Sequence, residues 1–382
     1  MFLLGAYGDV LGTPHEGSTQ IASSPFPQSL PVRQMPETAD CWGTWLPGSI
    51  VVEAAGVPTD DTAFKLFLLH PWLQSILAGR SSFTDDAFLR FIHELRQQTV
   101  RPEWARAPRD KQIDAWIEMF DAQAAGEAIH FYEPDVPIVF GLFMYLETGA
   151  LFSAANPTRT FEHFRSLSRL DQRYAKTATA LMATLVSLAI EASETDEPFD
   201  EWFFRQSYAL LDGLQAGSPE DTELQTLRVL LDSMQEFGSA QLDSSEETFL
   251  TAFKAQVLDV QQPKFMNEPF SGIFDPFRFL AQIVATLAFS ASDPPNALRL
   301  IAHSYGDTDT TAAILGTLMG AWYGEQRLRS QISQALKLSD QLDIVEGVLV
   351  DLLEINLDEQ AKLFMSLREK GFTARPKTVW RC

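Results

Sequence analysis

The sequence predicts an all-α protein. Apolar residues recur with a period of 3.6 along most of the chain, and alternating strand patterns are scarce. A hydrophobic share of 46% over 382 residues supplies a sizeable core, so folding needs no staples.

Charge and cysteine usage narrow the class. A formal net charge of −22, with a pI near 4.6, repels phosphate backbones and anionic lipid, so neither a nucleic-acid nor a membrane partner is expected. Acidity of this kind suits a soluble cytoplasmic protein, and the carboxylate excess alone implies no metal site. Cys41 and Cys382, far apart, build neither a disulfide framework nor a zinc cluster, which fits a reducing compartment. The start Met1-Phe2-Leu3-Leu4 has no basic n-region, and Asp9 interrupts it, so it reads as mature protein. The longest uncharged helical runs, Thr177 to Ile190 and Thr310 to Gly324, fall short of the roughly 18 residues of a membrane span.

Taken in chain order, Gly5-Ala6-Tyr7-Gly8-Asp9-Val10-Leu11-Gly12 opens the sequence, with Gly8 and Gly12 on one helix face and Glu16 just beyond the helix end. Glycine costs roughly 1 kcal/mol in a helix interior, so its repetition implies close approach by another helix. From Thr13 to Pro58, the prolines at Pro14, Pro25, Pro27, Pro31, Pro36 and Pro47 forbid long helices, and the segment reads as a long loop packed over a site. Thr59-Asp60-Asp61-Thr62 then starts a helix running to Leu77; acids at a helix start cap it and complement its dipole, but one cap needs only one such residue. Further helices are expected over Asp85 to Gln98, Asp110 to Ala125 and Arg173 to Ala192. The acidic stretch 193–272 reads as a helical insert, and 325–382 as a C-terminal extension with two surface helices between Leu338 and Lys370, all within one domain spanning 1–382.

Near the C-terminal third, Gly306-Asp307-Thr308-Asp309-Thr310 opens a helix whose Ala312, Gly316, Gly320 and Gly324 form a ridge of small residues. Carboxylates clustered at the mouth of a buried helix resist desolvation unless a cation neutralises them. Glu16, Thr59, Asp60, Asp61, Asp307, Asp309 and Thr310 together offer only oxygen ligands, which suits hard Mg²⁺, with Mn²⁺ also fitting. Seven such ligands are generous for one small ion and suit two held about 3.5 to 4 Å apart.

Gly8-Asp9-x-x-Gly12-x-x-x-Glu16, Thr59-Asp60-Asp61-Thr62 and Gly306-Asp307-Thr308-Asp309-Thr310 resemble, in order, the three signatures of the ADP-ribosylglycohydrolase family. The likeness covers most of the chain, apart from 193–272 and the part beyond Glu325. It implies a compact, orthogonal all-helical domain with a binuclear site, acting on an ADP-ribosylated protein or an ADP-ribose-containing small molecule. Carried over by position, Thr59, Asp60, Asp61 and Asp309 would hold one metal; Glu16, Asp307, Asp309 and Thr310 would hold the other. Asp61 or Glu16 would assist proton transfer at the anomeric carbon.

Where relatives have a second glycine before Gly306, Tyr305 stands here, and Phe140 and Tyr145 replace polar members around Phe140-Gly141-Leu142-Phe143-Met144-Tyr145. Ser168-Arg169 stands where Thr-His is common. The metal core therefore matches better than the substrate side. Phe140, Phe143 and Tyr145 are expected in the core, and His15, His130 and His303 carry no assigned role. The leading expectation is a metal-dependent hydrolase of ADP-ribosylarginine; the alternatives are a silent ADP-ribose binder and an immunity-type hydrolase acting against an ADP-ribosylating toxin.

Overall fold

The computed structural model describes residues 1–15, 30, 32–36, 51–56, 58–59, 61–62, 69–84, 86–88, 90–91, 94, 140–167, 173–192, 197–272, 274–290, 293–327, 339–352 and 357–369. Among them stand thirteen α-helices: α1 (Phe2–Gly12), α2 (His70–Leu77), α3 (Phe140–Tyr145), α4 (Pro157–Leu167), α5 (Ala175–Ala192), α6 (Phe199–Gly217), α7 (Thr222–Ser239), α8 (Glu246–Phe253), α9 (Pro276–Ser290), α10 (Pro294–Ala302), α11 (Thr308–Arg327), α12 (Ser339–Gly347) and α13 (Leu357–Glu369). The all-α reading holds. The helix expected over Asp110 to Ala125 lies outside the described residues, as do the side chains of Phe140 and Phe143 and the pair Ser168-Arg169.

One departure lies inside the proline-rich stretch read as loop. There β1 (Val32–Pro36) pairs antiparallel with β2 (Val51–Ala55), in the register Val32 with Ala55 to Pro36 with Val51. Pro36 at the strand end gives up no interior ladder bond, which is where a strand tolerates proline.

Local chemistry fixes where helices begin. Asp221 accepts from the amides of Glu223 and Leu224 at 3.1 Å each, starting α7. Ser245 Oγ accepts from the Thr248 amide at 3.2 Å, starting α8. Asp293 accepts from the Asn296 amide at 3.2 Å, with Pro294 and Pro295 leading α10. These are N-caps followed, in α10, by proline where an unpaired amide would otherwise stand.

A single hydrophobic cluster runs through the described helices. Its axis is the crossing of α1 with α11, the most extensive helix pair, flanked by α5, α10 and α12. Helices α6 to α8, inside the acidic stretch, feed the same cluster through Trp202, Phe203, Leu230, Leu231 and Phe249. Their carboxylates Asp200, Glu201, Glu246 and Glu247 fall in first helical turns, complementing the dipole. The C-terminal helices are more deeply seated than surface helices would be: Leu342 and Val345 of α12 and Leu363, Phe364 and Leu367 of α13 are buried. Phe364 meets Phe2 edge-to-face at 5.1 Å, and Tyr7 of α1 donates to Gln341 Oε1 at 2.8 Å. Helices α12 and α13 therefore both meet α1.

Helix α5 has 18 residues and is apolar enough to cross a membrane, longer than its uncharged run suggested, yet 72% of it is buried inside the protein. It is a core helix.

Candidate metal centre

Glycine brings the two helices of the centre together. A Cβ at Gly8 would stand 2.2 Å from the Ala312 carbonyl oxygen, one at Gly12 would stand 2.4 Å from the Asp309 backbone, and one at Gly316 would stand 2.3 Å from the Leu4 carbonyl oxygen. No Cβ fits such gaps, so α1 and α11 touch backbone to backbone. Thr308 Oγ1 then donates to the Gly12 carbonyl at 2.8 Å, locking the end of α1 to the start of α11. Of the expected ridge, Gly324 departs: with φ of 65° and nothing near its Cβ position, it breaks the helix rather than packing it.

The contact carries Asp9 to the next segment. Asp9, fully buried on α1, accepts from the Thr59 amide at 2.9 Å through Oδ1, from the Thr62 amide at 3.2 Å and from Thr62 Oγ1 at 2.6 Å through Oδ2. A carboxylate supplied by another helix thus caps the helical turn at Asp61-Thr62, satisfying amides that its own chain leaves open. Asp61 is thereby fixed in place. Thr310 Oγ1 donates to Asp61 Oδ2 at 2.7 Å, bridging residues 249 positions apart.

Three carboxylates meet at this junction. Asp61, Asp307 and Asp309 are all buried, and each offers one oxygen within 4.8 Å of the others. The Thr310 amide donates to Asp309 Oδ1 at 3.0 Å, and Thr311 donates from Oγ1 to the Asp307 carbonyl at 2.6 Å, so the first turn of α11 holds both acids. Like charges this close, removed from water, repel strongly unless a cation or protons offset them. An oxygen-only donor set of this kind suits a hard divalent cation, so the triad can hold a metal ion.

Of the residues singled out in the sequence, Asp61, Asp307 and Asp309 meet here, with Thr310 bonded to Asp61 and Thr59 Oγ1 accepting from the Asp61 amide at 3.4 Å. Glu16 and Asp60 lie outside the described residues. Two participants were missed by sequence reasoning. Asp9 was quoted within its glycine-rich signature but given no role, because nothing local shows that a second helix start lies against it. The other is Arg278, in the first turn of α9, whose guanidinium lies 3.0 Å from the Cβ position of Gly306. Burial pulls Arg278 below its ordinary range, against the opposing pull of Asp275, Asp259 and Asp307. Arg278 is held by its own helix start: buried Asp275 caps α9, accepting from the Phe277 amide at 2.8 Å and from the Tyr174 hydroxyl at 2.6 Å.

Fold and site together define an all-α protein built around a buried, metal-competent acidic centre at the start of its central helix. The sequence matches the model of the ADP-ribosylglycohydrolase family over residues 1–361, and the chain belongs to that family. It is accordingly a hydrolase of glycosidic bonds, with ADP-ribosylated substrates as its class. Among solved structures, an ADP-ribosylglycohydrolase-related protein complex is similar at 18% identity, with 96% of this chain and 95% of that chain covered and a TM-score of 0.43. No curated protein matches the sequence significantly.

Proposed function

We propose that the protein is a Mg²⁺-dependent hydrolase that removes ADP-ribose from modified side chains, arginine being the favoured linkage. The observation that carries this reading is the buried meeting of Asp61, Asp307 and Asp309 within 4.8 Å. Thr59, Asp60, Asp61 and Asp309 would hold one ion, and Glu16, Asp307, Asp309 and Thr310 the other, with Asp309 shared. Bound there, the ions would supply Lewis-acid binding of ribose hydroxyls and a more acidic water.

The chain's own residues do the rest. Cleavage at the anomeric carbon passes through an oxocarbenium-like state, and the negative charge of the carboxylates stabilises it in a site shielded from bulk water. Asp61 or Glu16 accepts the proton of the attacking water. Thr310 Oγ1, donating to Asp61 Oδ2 at 2.7 Å, orients that carboxylate. Asp9 stays behind the turn as its fixed support.

Metal-free protein titrated in a calorimeter with Mg²⁺, then with ADP-ribose, tests the reading alongside release of free ADP-ribose from arginine-modified protein. Release that stops with EDTA and in Asp309→Ala supports it. No metal binding, or no release in the presence of Mg²⁺ or Mn²⁺, sinks it.

A further inference from the structure

Arg278 is a half-buried cation with no carboxylate partner among the described residues. Its Nε is buried and meets no acceptor, and among the described residues no carboxylate lies within ion-pair distance of the guanidinium. Partly desolvated guanidinium groups normally find a carboxylate or carbonyl, because a buried donor left unmade is costly. Here the neighbour is instead a glycine. The Cβ position of Gly306 stands 3.0 Å from Nη2, 3.4 Å from Nε and 3.5 Å from Cζ, and Gly306 has φ of 88°, in the left-handed region that glycine favours. The guanidinium therefore lies over the backbone of the residue directly before Asp307. Beside it stands Tyr305, whose ring centroid lies 4.8 Å from Lys254 Nζ, a cation paired with Asp259 at 3.9 Å.

These positions place positive charge at the edge of an acidic cluster on a chain of net charge −22. Such a chain repels an anionic ligand unless a local cation receives it. We propose that Arg278 is the anion anchor of the substrate, binding a phosphate of the ADP-ribosyl pyrophosphate while the attached ribose reaches the Asp61–Asp307–Asp309 cluster. The planar fork of a guanidinium matches two phosphate oxygens at once. The inference rests on the ADP-ribosyl reading above, and it makes Arg278 a specificity residue: substrates without the pyrophosphate lose their anchor.

The test uses ADP as probe in EDTA-containing buffer, since ADP carries the pyrophosphate but lacks the distal ribose. Calorimetry would compare wild type with Arg278→Ala and Arg278→Lys, thermal melts confirming that each is folded; Arg278→Gln replaces the alanine variant if that one fails. The expected result is ADP binding weakened about ten- to a hundredfold in Arg278→Ala and partly restored in Arg278→Lys. In hydrolysis of arginine-modified protein, KM rises while kcat changes little. ADP that binds wild type and Arg278→Ala equally, or fails to bind wild type at all, overturns the anchor. If wild type binds ADP through Arg278 yet cleaves no ADP-ribosylated protein, the anchor stands and the glycohydrolase proposal fails alone.

Discussion

At the scale of single residues, the acidic centre trades stability for metal affinity. Asp61→Asn removes one of three crowded negative charges yet keeps an acceptor oxygen for Thr310 Oγ1, so the metal-free variant should melt higher than metal-free wild type. Mg²⁺ should raise the melting temperature of wild type, by an amount equivalent to about 2.7 kcal/mol at a hundredfold excess over its Kd, and should do far less for the variant. A metal-free wild type that melts higher than Asp61→Asn would contradict this account of the cluster. Asp9 behaves oppositely. It accepts from three donors on Thr59 and Thr62, so Asp9→Ala orphans buried donors and should cost roughly 2 to 4 kcal/mol, with metal affinity falling as Asp61 loses its support. Denaturant melts and Mg²⁺ titration of the same sample separate the two losses. All seven proposed ligands were grouped from sequence, since Asp-Thr clusters at helix starts are conspicuous, and five of them lie among the described residues. Asp9 and Arg278 could not be assigned roles, because the partners of Asp9 lie 50 and 53 positions away and the neighbour of Arg278 is the backbone of Gly306.

At the scale of helices, the glycines of α1 set the geometry. Gly8→Ala would thrust a methyl group to 2.2 Å from the Ala312 carbonyl oxygen, and both partners there are backbone that cannot rotate away. A loss of about 3 kcal/mol or more is expected, read as a lowered denaturant midpoint or failure to accumulate folded protein. Gly217, at the end of α6, has nothing near its Cβ position, and Gly217→Ala should be neutral or stabilising by up to about 1 kcal/mol. A Gly8→Ala variant as stable as Gly217→Ala would show that close approach does not govern Gly8. The sequence announced this contact through the spacing of Gly8 and Gly12 and of Gly316 and Gly320. It hid the β1–β2 pair, because the surrounding prolines read as loop and neither Val32–Pro36 nor Val51–Ala55 alternates apolar with polar residues. It also understated α12 and α13, whose apolar faces look modest until Phe2 and Tyr7 are seen against them.

At the scale of the whole molecule, one titration adds a pH dependence of known sign. The His163 ring packs against Phe152 at 4.9 Å and Phe164 at 5.7 Å, and burial, aided by Arg159, pulls its pKa down to about 4. The unfolded chain takes up that proton near 6.5 while the folded one refuses it until about 4, so stability is full above pH 6.5 and declines as pH falls through that window. His163→Phe should lose less melting temperature than wild type between pH 7 and pH 5; an identical slope would remove His163 from the account. The general architecture follows from the same long reach that assembles the centre: α1 must wait for α11, some 300 residues later. At about 5 to 20 residues per second, a chain leaving the ribosome spends on the order of 15 to 60 seconds with Asp9 and its glycines exposed before their docking partner exists. The acidic centre is thus completed only after α11 has been synthesised, and until then Asp61 lacks the Asp307 and Asp309 carboxylates that share its site.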